Sequence, residues 1–140
     1  MVINKIVLII ILGVLEFLID IKYYTPCWSC EGLSALLVHH LFAVWLLLGG
    51  FLFNPVYHMV VCIILLFYWK DNISEKGNDC FLTEITNRAC NKEVGHPFYD
   101  ILEMIGVPKP PYLVVSVLIL YDICVIYYNR SCLSWNPLKR

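Results

Sequence analysis

Six ionisable side chains interrupt long apolar runs in this sequence: Glu16, Asp20, His39, His40, His58 and Asp122. A charge in apolar surroundings is costly, so such groups persist as pairs or as working sites. Glu16 and Asp20 are four residues apart and share one face of a helix. His39 and His40 follow in the next apolar run. An imidazole beside a carboxylate can neutralise it, hold a proton against it, or pass that proton on. Adjacent histidines on a helix point about 100° apart. That spread disfavours a metal site built from His39, His40 and the carboxylates, and no metal ligand is assigned.

Sulfur is the second chemistry. The chain has seven cysteines. Cys27 and Cys30 form a C-x-x-C pair just ahead of an apolar run, and Cys80 and Cys90 lie in a later polar stretch. Four cysteines in short segments on one side of the helices suit an oxidising compartment. Disulfides among Cys27, Cys30, Cys80 and Cys90 are therefore expected, with the connectivity open. Redox cycling of the same four is the catalytic alternative. A four-cysteine zinc site is a further one, if these loops face a reducing compartment. Cys62 and Cys124 fall within apolar runs and read as small hydrophobic residues.

The elements that must position these groups are four apolar segments, 6–21, 33–53, 55–69 and 112–128. A bilayer core of about 30 Å needs about 20 helical residues. With flanking residues the expected spans are about 3–22, 33–53, 55–70 and 111–128. Tyrosine and tryptophan gather at the segment ends, at Tyr23, Tyr24, Trp28, Trp69, Tyr112 and Tyr128 among others, as at a membrane interface. The expected fold is all-α, an integral membrane four-helix bundle forming a single domain over residues 1–140. The first segment lacks a small-x-small cleavage site and carries Glu16 and Asp20, so it reads as an uncleaved anchor rather than a signal peptide. Asn54-Pro55 joins the second and third segments in a tight hairpin, with proline opening the third helix. Residues 70–111 form a long polar connection. Within it Phe98, Ile101, Leu102 and Ile105 fall on one helical face between Pro97 and Gly106, an amphipathic interfacial helix over about 97–105.

Four spans place both termini and the Asn54 turn on one side and the two longer loops on the other. Lysines and arginines lean weakly toward placing the loops in the cytosol, whereas the cysteines favour an oxidising space. The expected orientation follows the cysteines, with cytosolic termini. Counting about 1.5 Å per residue, Glu16 and Asp20 reach the depth of His39 and His40. His58 and Asp122 share a second level, about 16 Å below the loop side, and are expected to face one another across the bundle. Counted from the Asn54 turn that joins their helices, His40 and His58 stand about 15–18 Å apart along the helices, which disfavours a haem held between them.

The run HHLFAVWLLLGG from His39, the Tyr57-His58 step and CFLTEITN from Cys80 resemble a widespread family of small multi-pass membrane proteins of unknown function. His39, Gly49, Gly50, His58, Cys80, Leu82, Thr83 and Asn87 match the family pattern over about half of the chain. Phe81 stands in place of its proline and Thr86 in place of its glutamate. The resemblance implies a membrane fold in which His39 and the segment 80–87 converge near the loop side, and it implies no known activity. A second likeness is architectural. Pro26-Cys27-Trp28-Ser29-Cys30 ahead of a helix, with a second cysteine pair in the third loop, looks like the quinone-dependent membrane thiol oxidases. That likeness would make Cys80/Cys90 the electron-accepting pair and Cys27/Cys30 the donors to quinone. No arginine stands between Glu31 and His40 to bind a quinone, which departs from those enzymes.

The net charge is −1 and no basic stripe exists, so nucleic acid is not an expected partner. The expected partners are the lipid bilayer and, within it, another membrane protein or a second copy. The leading expectation is a non-enzymatic membrane component with disulfide-stapled loops, a polar histidine–carboxylate core and no cofactor. The alternative is a membrane thiol–disulfide oxidoreductase using a quinone. A third reading, a proton-coupled carrier, rests on His58 and Asp122.

Overall fold

A computed structural model of the protein describes residues 4–23, 27–72, 81–92 and 111–132. Five helices and no strand occur among them: α1 (Lys5–Tyr23), α2 (Cys30–Leu52), α3 (Pro55–Asn72), α4 (Phe81–Ala89) and α5 (Pro111–Cys132). The all-helical class agrees with the expectation. The expected helix at 97–105 lies outside the described residues, as does Cys80. The long connection is not wholly irregular, however. Its Phe81–Ala89 segment is helical and packs against α2.

Local chemistry accounts for the helix boundaries. Asn4 Oδ1 accepts the Ile6 N–H at 3.0 Å and opens α1. Ser29 Oγ accepts the Gly32 N–H at 2.9 Å, so α2 begins at Cys30 rather than at the expected residue 33. Asn54 Oδ1 accepts the Val56 N–H at 2.9 Å, with Pro55 in the first helical position of α3, where its missing N–H costs nothing. At the end of α4 the Lys92 N–H reaches the Asn87 carbonyl at 2.8 Å, and Asn91 adopts φ 53°. This is a left-handed cap of the Schellman type, a backbone state that asparagine tolerates.

Packing is arranged in two helix pairs. The most extensive seams are α3 against α5 and α1 against α2, and α4 lies along α2. The α2–α3 hairpin, with a lesser contact of α2 to α5, joins the two pairs. The apolar centre is small: Leu46, Cys62 and Val115 are buried, with Trp45, Leu65, Leu66, Leu118 and Ile119 packed around them. Beside it, Glu16, Asp20, His40, His58, Thr83, Thr86, Asn87 and Asp122 are also buried. The outward faces are apolar, including Ile6, Ile10, Leu18, Ile64, Phe67 and Leu120. Polar groups thus point in and large aliphatic groups point out.

Among the described helices only α2 is both long and apolar enough to cross a membrane on length and composition alone. α1 carries Glu16, Asp20 and Lys22 in its second half, and the apolar stretches of α3 (Pro55–Tyr68) and α5 (Leu113–Asn129) are shorter. These two criteria alone support one candidate span rather than the four expected.

Candidate functional site

Two histidine–carboxylate centres lie on opposite sides of α2. In the first, α1 places Glu16 and Asp20 one turn apart, both facing His40 of α2. His40 Nε2 is 2.9 Å from Asp20 Oδ2, and His40 Nδ1 is 3.4 Å from Glu16 Oε2. The first contact is a hydrogen bond; the second is an ion-pair distance without one. Glu16 is buried, and Asp20 and His40 are fully enclosed. One imidazole therefore faces two carboxylates in an interior that disfavours uncompensated charge. His40, not His39, is the ring between the carboxylates. His39 is half-buried on the adjacent face, edge-on to His40 with 5.6 Å between ring centroids. The adjacent residues of a helix diverge by about 100°, so only one of the two can occupy the seam with α1.

The second centre lies at the α3–α5 seam. His58 Nδ1 is 2.7 Å from Asp122 Oδ2, and His58 Nε2 is 2.8 Å from the Leu46 carbonyl of α2. A carbonyl oxygen only accepts, so Nε2 carries a hydrogen and donates it. Nδ1 and Oδ2 then share one further proton, as imidazolium with carboxylate or as imidazole with carboxylic acid. The pair is neutral overall in both forms, which suits its full burial. Trp45 packs against the ring with 5.3 Å between centroids.

Gly49 and Gly50 make room for this centre. A β-carbon on Gly50 would collide with Asp122 Oδ1 and lie 3.1 Å from His58 Nδ1. A β-carbon on Gly49 would lie 3.1 Å from His58 Nε2 and closer still to Cδ2 of the ring. The two glycines let the α2 backbone close over a histidine–aspartate pair that no larger residue would admit. Asp122 Oδ1 has no hydrogen-bond partner among the described residues, and neither has Asp20 Oδ1.

Cys62 sits one turn after His58 on α3, fully buried, with its sulfur 3.8–3.9 Å from the two ring nitrogens. The ligand-capable atoms of His58, Cys62 and Asp122 all lie within 4.8 Å of one another. In the sequence Cys62 reads as a small hydrophobe. The signal that finds it is its spacing of four from His58, which puts both on one face of α3.

The sulfur chemistry of the loops differs from the expectation at Cys30. The disulfide joins Cys27 to Cys90, 63 residues apart in sequence, with 5.3 Å between α-carbons. Cys30 is a free, exposed thiol. Cys30 opens α2 and faces outward, whereas Cys27 precedes the helix and is buried against the α4 terminus. The packing of α4 against α2 brings Cys90, at the end of α4, beside it. Gly32 in the first turn of α2 provides the space, because a β-carbon there would meet both disulfide sulfurs. Cys124 is exposed on α5. Of the motif residues on α4, Thr83 and Asn87 are buried against α2 and Leu82 is half-buried.

No protein-family model, no curated protein and no solved structure matches this chain.

Proposed function

We propose that the chain is a multi-pass integral membrane protein whose helices α1, α2, α3 and α5 all cross the bilayer, and that it acts as a non-enzymatic membrane component. The observation that carries this reading is the distribution of side chains. Glu16, Asp20, His40, His58 and Asp122 turn inward, while the outward faces of the same helices carry isoleucine, leucine, valine and phenylalanine. Water would favour the reverse arrangement, and lipid favours this one. The helix lengths of 19, 23, 18 and 22 residues correspond to about 27–35 Å, close to a hydrocarbon core of about 30 Å. Three ionisable groups keep α1 from qualifying on composition, and two of them, Glu16 and Asp20, are spent on His40 inside the bundle.

In this role the two buried centres select helix neighbours. Greasy helix faces slide past one another at little cost, whereas a histidine opposite a carboxylate admits one partner and one register. The His40 centre fastens α1 to α2, and the His58 centre fastens α3 to α5 and to the Leu46 carbonyl. The likeness to the family of small multi-pass proteins belongs to the same proposal, and Gly49, Gly50, His58, Thr83 and Asn87 from its pattern are all buried. The test combines alkaline carbonate extraction with labelling by an impermeant maleimide. The protein should stay with the membrane, and Cys30 and a Phe53→Cys probe should label from opposite sides. Release by carbonate, or labelling of both from one side, would overturn the four-span reading.

A second reading is favoured by one observation. The Cys27–Cys90 disulfide links the two loops and Cys30 stands three residues away as an exposed thiol. This is the composition of a thiol–disulfide exchange site. Mixed disulfides with another protein in a Cys30→Ser or Cys90→Ser strain would favour an oxidoreductase over a staple.

A further inference from the structure

We propose that His58, Cys62 and Asp122 form a binding site for a single zinc-class divalent metal ion. Their ligand atoms are imidazole nitrogen, thiol sulfur and carboxylate oxygen, the donor set of borderline-soft transition metals. His58 and Cys62 come from one face of α3, and Asp122 from the facing helix α5. All three are buried and their ligand atoms lie within 4.8 Å of one another. Asp122 Oδ1 has no hydrogen-bond partner among the described residues, so a carboxylate lone pair stands buried beside the other two donors.

The hydrogen bond from His58 Nε2 to the Leu46 carbonyl gives the site its orientation. With the proton held at Nε2, the lone pair for a metal is at Nδ1, the nitrogen facing Asp122. A fixed acceptor on the far nitrogen is the usual outer support of a metal-bound histidine.

Charge balance favours a dication. Before binding, the thiol is neutral and the histidine–aspartate pair is neutral with its shared proton. On binding, the metal forms bonds to Nδ1, to the Cys62 sulfur and to an Asp122 oxygen. The S–H bond breaks and the shared proton leaves, so two protons go to solvent as one dication enters. Thiolate and carboxylate then offset its two positive charges, and the buried site is neutral before and after. No electron is transferred.

The separations show what must move. Donors on a tetrahedral zinc with bonds of about 2.0–2.3 Å stand about 3.3–3.7 Å apart. Nδ1 and the Cys62 sulfur are 3.9 Å apart, near that value. Nδ1 and Asp122 Oδ2 are 2.7 Å apart, the spacing of a proton-sharing pair, and would open by about 0.7 Å. The sulfur is 3.9 Å from Nδ1 and 3.8 Å from Nε2, so the Cys62 side chain turns toward Nδ1 on binding while the Leu46 carbonyl holds the ring. Three protein donors leave a fourth position for the second carboxylate oxygen or for water. This site does not depend on the membrane reading, since the donors converge whatever surrounds the outer faces.

The test uses the full chain with Cys30, Cys80, Cys124 and Cys132 changed to serine, which retains the Cys27–Cys90 bond and leaves Cys62 as the free thiol. Titration with cobalt(II) should give a near-ultraviolet thiolate-to-cobalt band and visible bands of a four-coordinate centre, saturating at one equivalent and abolished by zinc. Adding Cys62→Ser keeps the His58–Asp122 pair, so the helical signal should be unchanged. The thiolate band should vanish and affinity should fall at least ~10-fold, as it does even for changes beyond the ligands. Absence of the band before that change, its survival after it, or equal zinc affinity of the two proteins would overturn the proposal. If the serine background does not fold, zinc content decides between unmodified protein and its Cys62→Ser variant. One equivalent against none supports the site, and equal content refutes it.

Discussion

Gly50→Ala sets two physical effects against one another. In a helix interior alanine is favoured over glycine by about 1 kcal/mol, so propensity alone makes the variant more stable. The packing of α2 against α5 says the opposite. The new methyl would overlap Asp122 Oδ1 and press on His58 Nδ1 at 3.1 Å. Neither neighbour is the free end of a flexible chain, because Asp122 is fixed to His58 and His58 is fixed at its other end to the Leu46 carbonyl. Overpacking of a filled interior costs about 1–3 kcal/mol, and loss of a buried histidine–carboxylate contact raises that to about 3–5 kcal/mol. After subtracting the propensity gain, a net loss of about 2–4 kcal/mol remains. For a chain of this size that corresponds to a melting point lower by about 6–15 °C. The assay is thermal unfolding of purified protein in detergent, followed by circular dichroism. Gly50→Ala in an Asp122→Ala background supplies the control, since the obstructing carboxylate is gone and the methyl should then be neutral or stabilising. A Gly50→Ala variant at or above wild-type stability would refute the claim that the glycine exists to admit the histidine–aspartate pair.

The remaining predictions concern the loop bond and the first buried centre. Cys27→Ser opens a loop of 63 residues and should cost about 4 kcal/mol by loop-closure entropy, whereas Cys30→Ser, at an exposed free thiol, should stay within about 0.5 kcal/mol of wild type. Equal losses in non-reducing thermal melts would mean that Cys30 shares in the bond. His40→Ala strands Glu16 and Asp20 in the interior and should cost about 3–5 kcal/mol. Adding Asp20→Ala should recover part of that loss, and strict additivity of the two changes would show that the residues do not interact.

Much of this arrangement was legible in the residues alone. Ionisable groups in apolar runs are few and costly, so pairing is forced and depth along a helix limits the partners. Counting at a fixed rise per residue matches Glu16 and Asp20 with the His39–His40 step and His58 with Asp122. The Asn54-Pro55 hairpin follows from capping and from the missing proline amide, and the structure has α3 starting at Pro55.

Rotation about the helix axis, by contrast, was settled only in three dimensions. Depth is the same within about 1.5 Å for His39 and His40, and only the packing of α1 against α2 turns His40 into the seam. Disulfide connectivity is a matter of where chain ends come to rest. Cys27 bonds to Cys90 because α4 lies along α2 and so brings its end to the residues just ahead of α2, and nothing local in C-x-x-C announces that. Cys62 reads as a hydrophobe until α5 brings Asp122 to the same face of α3 as His58. Composition and periodicity determine which groups must be hidden and how deep they lie, because burial costs and helical rise are properties of each segment. Which groups meet depends on how the segments turn and pack, because that is decided by contacts between residues far apart in the chain.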